Sequence, residues 1–281
     1  MILVIGATGK VGRQLLGELT DAGVRVRAVV RNPKTAGLPS GVEVVGGDLS
    51  ASNALDDHLD GIDAAFLIWP LPTTNAAPHV VGALARQVPR IVYLSTLAVR
   101  DDVVEQTHPL SAMHATVESL IQQSGAGWTI LRASKFATNT LAWVPLIRSE
   151  GVVELTYGAA RRSPIHQRDI AAVAALTLTE EGHTTAKYVL TGSKSLTEFE
   201  QVRIVGKAIG RPLLVREIAP QAARDQMLAE GSSPELADAA LGYWARLVTH
   251  PEPVTTTVRD LTGSPARTFD EWAIEHVHQF R

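Results

Sequence analysis

Three observations in the amino-acid sequence predict an α/β fold, a doubly wound parallel sheet followed by a small, mainly helical C-terminal lobe. Short β-branched runs alternate with amphipathic stretches through the first half, a glycine-spaced turn follows the first run, and helical patterns take over after Pro220. Strands separated by helices of this length need right-handed crossovers, which make the strands parallel and put helices on both faces.

The first strand lies in MILVIG. VGRQLLGELTDAG follows as a helix with Val11, Leu15, Leu16, Leu19 and Ala22 on one face and Gly23 as its C-terminal cap. VRVRAVVR reads as the second strand, VEVVGGD as the third, IDAAFLIW as the fourth and RIVYLST as the fifth, with a helix around 76–87 between the last two. A helix over 109–123 precedes the sixth strand, WTILR. The switch point is expected between the first and fourth strands, and ligands at the carboxyl ends of those strands. Further on, AKYVLTG and PLLVREI are short strands separated by the helix LTEFEQVRIVGKAIG, and three or four helices complete the chain.

With 281 residues, 45% hydrophobic and 20% charged, the composition is that of a globular protein. A formal net charge of −3 argues against a nucleic-acid or anionic-membrane binder. The absence of cysteine removes disulfides, thiolate catalysis and cysteine-held zinc, and suits a reducing cytosol. A strand that begins at Met1 leaves no room for a leader, and no apolar run is long enough to cross a bilayer. The expectation is a cytoplasmic protein, monomer or homodimer, acting on a small molecule, with no nucleic-acid or membrane partner. Arg161-Arg162 is expected as a solvated loop, and His276 and His278, two apart on a helix, make a poor metal pair; no metal ligand set is expected.

IGATGKVG carries Gly6, Gly9 and Gly12 between a strand and a helix. The first glycine permits the tight turn, the second lets backbone approach a pyrophosphate, and the third lets helix and strand pack closely. With Thr8, Lys10 and Val11 they form the expected dinucleotide cradle of a Rossmann-type core, where the helix N-terminus faces the phosphates. The second strand ends at Arg31, with Lys34 close by and no carboxylate, a pattern that favours the 2′-phosphate of NADP(H) over NAD. Asp48, ending the third strand beside Leu49, is positioned to accept from the adenine amino group or to cap a helix. We therefore expect an NADP-binding core over 1–150, and over 151–281 the late strands with a C-terminal lobe.

These residues, with RNPKTAG, GGDLS, YLSTLA, ESLIQQSGAGWTILRASKFATN, QRDIAAVAALTL, YVLTG, AIGRP and DLTGSPARTFDEW, make the sequence resemble the NmrA-like group of atypical short-chain dehydrogenases over nearly its whole length. The resemblance implies an NAD(P)H-dependent oxidoreductase similar to quinone and triphenylmethane-dye reductases, or a redox sensor of the same fold. It also implies that the nicotinamide lies near the loop after the sixth strand and that substrate is taken between that loop and the C-terminal lobe.

Orthodox short-chain dehydrogenases carry Tyr-x-x-x-Lys on the helix after the fifth strand, and in extended members a glutamate often follows four residues later. With Glu118 as that glutamate, PLSAMHATVE puts His114 at the lysine position and Leu110 at the tyrosine position. Leucine cannot move a proton, so alcohol–ketone chemistry by that pair is not supported. Hydride transfer to an electron-poor acceptor does not need it. His114 is the candidate to hold the ribose or to donate a proton near neutral pH, and Ser95 the candidate to polarise substrate or to contact the cofactor. Trp69, Pro70, Thr96, Ala133, Ser134 and Phe136 are expected along the cofactor, and Leu71, Leu97, Phe136, Asn139, Trp143, Tyr157 and His166 along the substrate. Three readings stand: an NADPH-dependent reductase of a quinone-like, dye-like or other conjugated molecule; a non-catalytic NADP(H) sensor; and a pathway-specific enzyme of secondary metabolism.

Overall fold

The computed structural model describes all residues, Met1–Arg281. Two compact units divide them: Met1–Val104, Ser111–Ala133 and Gln167–Val189 form one, and Glu105–Leu110, Ser134–His166 and Leu190–Arg281 the other. The division is not the single cut near residue 150 that the sequence suggests, because the segment 167–189 returns to the first unit.

The elements run β1 (Ile2–Ile5), α1 (Lys10–Asp21), β2 (Val26–Val30), β3 (Glu43–Gly46), β4 (Ala64–Ile68), α2 (Ala77–Gln87), β5 (Arg90–Thr96), α3 (Pro109–Gln123) and β6 (Gly127–Ala133). They continue with α4 (Val144–Glu150), β7 (Val152–Leu155), β8 (Arg161–Arg162), α5 (Gln167–Thr179), β9 (Ala186–Leu190), β10 (Leu196–Thr197), α6 (Glu198–Ile209) and β11 (Leu214–Glu217). Five helices close the chain: α7 (Pro220–Ala229), α8 (Pro234–Thr249), α9 (Thr257–Thr262), α10 (Phe269–Glu275) and α11 (Val277–Phe280). That exceeds the three or four expected, because the two last helices are short and separated only by His276.

In the first unit seven strands lie in the order β3-β2-β1-β4-β5-β6-β9. β1 is parallel to β2 and to β4, with Ile2 opposite both Val26 and Ala64, so the chain reverses direction across the sheet between β1 and β4 as predicted. Helices cover both faces, which is why β1 and β4 read as unbroken apolar runs and not as alternating ones. Val11, Leu15, Leu16 and Leu19 of α1 are buried as expected; Ala22 is exposed, because the helix ends at Asp21 and Gly23 turns away with φ +73°.

In the second unit β7 pairs with β11 in parallel and β8 with β10 antiparallel. Arg161-Arg162 is thus a strand and not a solvated loop; the Arg162 side chain is 11% exposed, paired to Glu198 at 2.9 Å and stacked over Tyr243 and Trp244. The core of this unit gathers Phe269, Trp272 and Phe280 against Ile147, Val153, Val202 and Val205. Two helices there begin with reciprocal caps, Thr197–Glu200 and Thr268–Glu271, each satisfying two otherwise open N–H groups.

Candidate active site

Steric limits build the glycine turn. Gly6 sits at φ +89°, where a Cβ would also meet Ile68 Cβ at 2.7 Å. A Cβ on Gly12 would lie 2.2 Å from Gly6 O and 2.8 Å from Ala7 Cα, so only glycine lets α1 rest on the turn. Gly9 N–H donates to Gly6 O at 3.1 Å, and α1 starts at Lys10 with no side chain capping it. The open N–H groups at this helix start and the dipole behind them suit an anion. Thr8, Gly9 and Lys10 are exposed at this turn; Val11 is buried and offers its backbone alone.

The end of β2 supplies positive charge. Arg31 and Lys34 are exposed and enter no ion pair or hydrogen bond, although Arg31 lies near enough to Asp48 to help lower its pKa. Arg13, one turn into α1, donates to Thr8 O at 3.1 Å, Gly37 O at 2.7 Å and Ala36 O at 2.9 Å. Its guanidinium joins the glycine turn to the loop after β2 without being neutralised by a carboxylate. Asp48 begins no helix; its Oδ1 accepts from Ser50 N–H at 3.0 Å and from the Ser50 hydroxyl at 2.8 Å, bonds that hold its carboxyl below the ordinary value.

Three expectations at the strand ends change. Leu49 is 5% exposed and belongs to the core, so its side chain is not offered to a cofactor. Trp69 is 6% exposed, packs in the same core and spends its indole N–H on Thr73 O at 3.0 Å. Pro70 is exposed and Leu71 half-buried beside it. Ser95 is 3% exposed and donates to Glu118 Oε1 at 2.5 Å, so its hydroxyl is not free to polarise a substrate. Thr96 Oγ1 accepts from Ala98 N–H at 3.2 Å, and Leu97 N–H donates to Ala133 O at 2.8 Å, joining the ends of β5 and β6.

Glu118 organises the ground beneath. It is 2% exposed and takes Arg132 Nε at 3.0 Å and Nη2 at 2.6 Å, a two-point pairing. Arg132 also reaches both oxygens of Asp101, at 2.6 and 2.8 Å, and Lys187 reaches Asp101 at 2.8 Å. The bonds from Arg132 and Lys187 hold the Asp101 carboxyl far below the usual range.

His114 is half-buried on α3, and its Nδ1 lies 2.6 Å from Tyr93 Oη. Burial pushes His114 down to about 4, against a weaker upward pull from Glu118. The ring is therefore held neutral at pH 7, a state that does not fit the expected proton donor near neutrality. Leu110, at the tyrosine position, is 43% exposed. Tyr93 and Arg13 escaped the sequence reading: Tyr93 looks like one more core residue of a strand, and the carbonyl partners of Arg13 at Ala36 and Gly37 lie in a different loop.

Ala133 ends β6 in the first unit; Ser134 and Phe136 begin the loop in the second. Ser134 donates to Ser163 O at 2.5 Å, and Phe136 bridges to Ile165. Asn139 is exposed and Trp143 half-buried, with Lys135 Nζ 5.6 Å from the indole centroid. Tyr157 is held at φ +61°, a conformation that costs a non-glycine residue energy. His166 is 1% exposed, packed edge-on to His276 and 3.3 Å from Glu275, so it belongs to the interior and not to a substrate wall. Burial lowers it, like His114, to about 4. The second unit contains a cavity of about 350 Å³ lined by Lys194, Arg203, Lys207, Glu200 and Asp270 among others, and none of the expected substrate residues lines it.

A glycine turn on the central strand of a parallel sheet, opening a helix with free N–H groups, defines a dinucleotide-binding protein of the Rossmann class. The comparisons with known proteins narrow this. The family profile described as NAD(P)H-binding matches residues 6–181, and the chain belongs to that family. A (4-alkanoyl-5-oxo-2,5-dihydrofuran-3-yl)methyl phosphate reductase of Streptomyces griseus is 40% identical over 283 residues, spanning 100% of this chain and 99% of the relative. An NAD(P)H azoreductase of Xenophilus azovorans is 31% identical over 100% of this chain and 99% of its own length. The crystal structure of an NADPH-dependent quinone oxidoreductase from Escherichia coli superposes with a TM-score of 0.82 at 25% identity, covering 99% of this chain and 100% of that one. The protein is an NAD(P)H-dependent oxidoreductase, and the resemblance to atypical short-chain dehydrogenases stands. No helix is long and apolar enough to cross a membrane.

Proposed function

We propose that the protein is an NADPH-dependent reductase that delivers hydride to a conjugated acceptor activated by carbonyl groups. The observation that carries the cofactor choice is the pair Arg31 and Lys34, exposed and unpaired at the end of β2, with no acidic residue to hold ribose hydroxyls there. Asp48 is a carboxylate close enough to be influenced by Arg31, and its own bonds go to Ser50. The donor set fits a dinucleotide: Gly6 and Gly12 let the turn and α1 pack closely, Gly9 lets backbone approach the pyrophosphate, the first N–H groups of α1 face it, and Arg31 and Lys34 take the 2′-phosphate. When bound, NADPH supplies a hydride; the chain orients it and excludes water.

The acceptor class follows from what the chain lacks. Leu110 cannot give a proton, the Ser95 hydroxyl is bonded to Glu118, and His114 is neutral, so none of these three expected residues supplies a strong acid. A carbon–carbon double bond flanked by two carbonyls needs none: hydride adds at the far carbon, the electron pair spreads over both oxygens as a stabilised enolate, and a proton from water later completes the reduction. The name of the relative that is 40% identical describes such an acceptor, a ring double bond bearing a ring carbonyl and an alkanoyl group, with a methyl phosphate alongside. Quinones and azo dyes, named for other relatives, share the electron-poor character. We favour the acyl-dihydrofuranone phosphate class over these, since identity to that relative, 40%, exceeds the 31% to the azoreductase and the 28% to the quinone oxidoreductase. Steady-state NADPH oxidation tested with an acyl-dihydrofuranone phosphate, a benzoquinone and an azo dye decides it: the proposal expects the highest kcat/KM with the first, and a preference for either other acceptor rejects that ranking.

A further inference from the structure

Tyr93 of β5 and His114 of α3 form a pair that the reductase reading does not by itself require. The chemical role of the pair rests on that reading; the tautomer of the free protein does not. Tyr93 is fully buried among core residues, and the one acceptor its hydroxyl meets is His114 Nδ1, at 2.6 Å, with ring centroids 5.8 Å apart. A buried hydroxyl is kept bonded, because without an acceptor it loses its hydration for nothing. Burial raises the Tyr93 hydroxyl well above its ordinary value, so it keeps its proton, and burial holds His114 neutral. The charged and titratable groups about the imidazole are Tyr93 from β5 and Glu118 from its own helix, whose carboxylate is held by Arg132 of β6. With Oη as the donor and Nδ1 as the acceptor, the single ring hydrogen resides on Nε2, which has no partner within the protein.

We propose that Tyr93 is a positioning residue that fixes His114 as its Nε2–H tautomer, so that a neutral hydrogen-bond donor for a ligand oxygen always stands at this place on α3. The oxygen is either a ribose hydroxyl of the dinucleotide or a carbonyl oxygen of the acceptor, where negative charge gathers as hydride arrives. A donor fixed in advance needs no rearrangement at that moment. A histidine free to change tautomer would offer an acceptor part of the time and lose the contact.

Long-range ¹⁵N–¹H correlation spectra of the whole protein test this directly, because the two tautomers and the imidazolium have distinct nitrogen shifts. At about pH 7 the signals that vanish in His114→Gln should show a protonated Nε2 and a bare Nδ1. Tyr93→Phe keeps the ring packing and removes the hydroxyl; it should give a mixed tautomer and lower kcat/KM with NADPH about tenfold, the worth of one good hydrogen bond. Glutamine at 114 supplies an N–H near the Nε2 position without help from Tyr93. In the His114→Gln background, Tyr93→Phe should therefore change kcat/KM by less than about twofold. A Nε2–H shift on adding NADP⁺ alone assigns the oxygen to the dinucleotide, and one that needs an acceptor analogue as well assigns it to the substrate. An Nδ1–H tautomer or an imidazolium in the unaltered protein overturns the proposal, as does a Nε2–H that neither addition moves. A Tyr93→Phe protein with unchanged tautomer and kinetics overturns it too. The tautomer of the free protein needs no turnover, so failure to oxidise NADPH defeats the reductase reading and leaves this measurement intact.

Discussion

Ser95 gives its hydroxyl hydrogen to Glu118 at 2.5 Å, and Glu118 in turn grips Arg132 through both carboxylate oxygens. The bond makes Ser95 part of the support under the strand ends and not a group that meets substrate. Ser95→Ala should leave kcat within about twofold of the unaltered protein. It should cost about 1.5–3 kcal/mol of stability in denaturant unfolding, the range for a hydrogen bond to a charged group. A loss of kcat by a hundredfold with unchanged stability would return Ser95 to the chemistry.

The turn at Gly12 leaves no room for a methyl group, since the added carbon would stand 2.2 Å from Gly6 O, a rigid backbone atom. Gly12→Ala should push α1 off the turn, abolish measurable NADPH binding by calorimetry and lower the melting temperature. By contrast Gly17→Ala, on the same helix with nothing near its Cβ, should be neutral or stabilising by about 0.5–1 kcal/mol.

Arg13 and Arg31 act on the same corner by different means. Arg31→Ala removes a charge proposed to touch the 2′-phosphate, and should raise KM for NADPH about tenfold or more while leaving that for NADH nearly unchanged. Arg13 holds Thr8, Ala36 and Gly37 through three carbonyls, so Arg13→Lys, whose ammonium lacks the planar fork, should loosen the loop. The measurable result is a severalfold rise in KM for NADPH, with kcat unchanged.

Acid should destabilise the protein through its buried histidines. His114 and His166 both have folded-state values lowered by burial to about 4, so between about 6.5 and 4 the unfolded chain binds more protons. Stability is thus fully present above pH 6.5 and falls with pH through this window, by roughly 2–3 kcal/mol for His114 alone at its foot. Urea unfolding at several pH values checks the slope, which His114→Gln should make shallower.

The sheet was largely legible in the sequence because strands buried on both faces leave unbroken apolar runs, as in Leu3–Ile5 and Ala65–Leu67. The glycine turn was legible because its spacing reflects contacts within a few residues. What depends on distant partners was not. β8 is two arginines that become a strand only by pairing with Leu196–Thr197. Leu49 and Trp69 were placed at the right strand ends, but which way each side chain turns is settled by the core around it. His114 was found from its spacing to Glu118, whereas its state is set by Tyr93 on another element.

Reduction of a carbonyl-activated, conjugated acceptor by NADPH at this dinucleotide site, without a strong acid, is the proposal to be tested. The most direct measurement is the loss of the reduced-nicotinamide absorbance on mixing protein, NADPH and an acyl-dihydrofuranone phosphate, with product identified by mass. Turnover should consume one NADPH per double bond reduced. Tight NADPH binding with no oxidation above background, for this acceptor and for quinone and azo compounds alike, would contradict it.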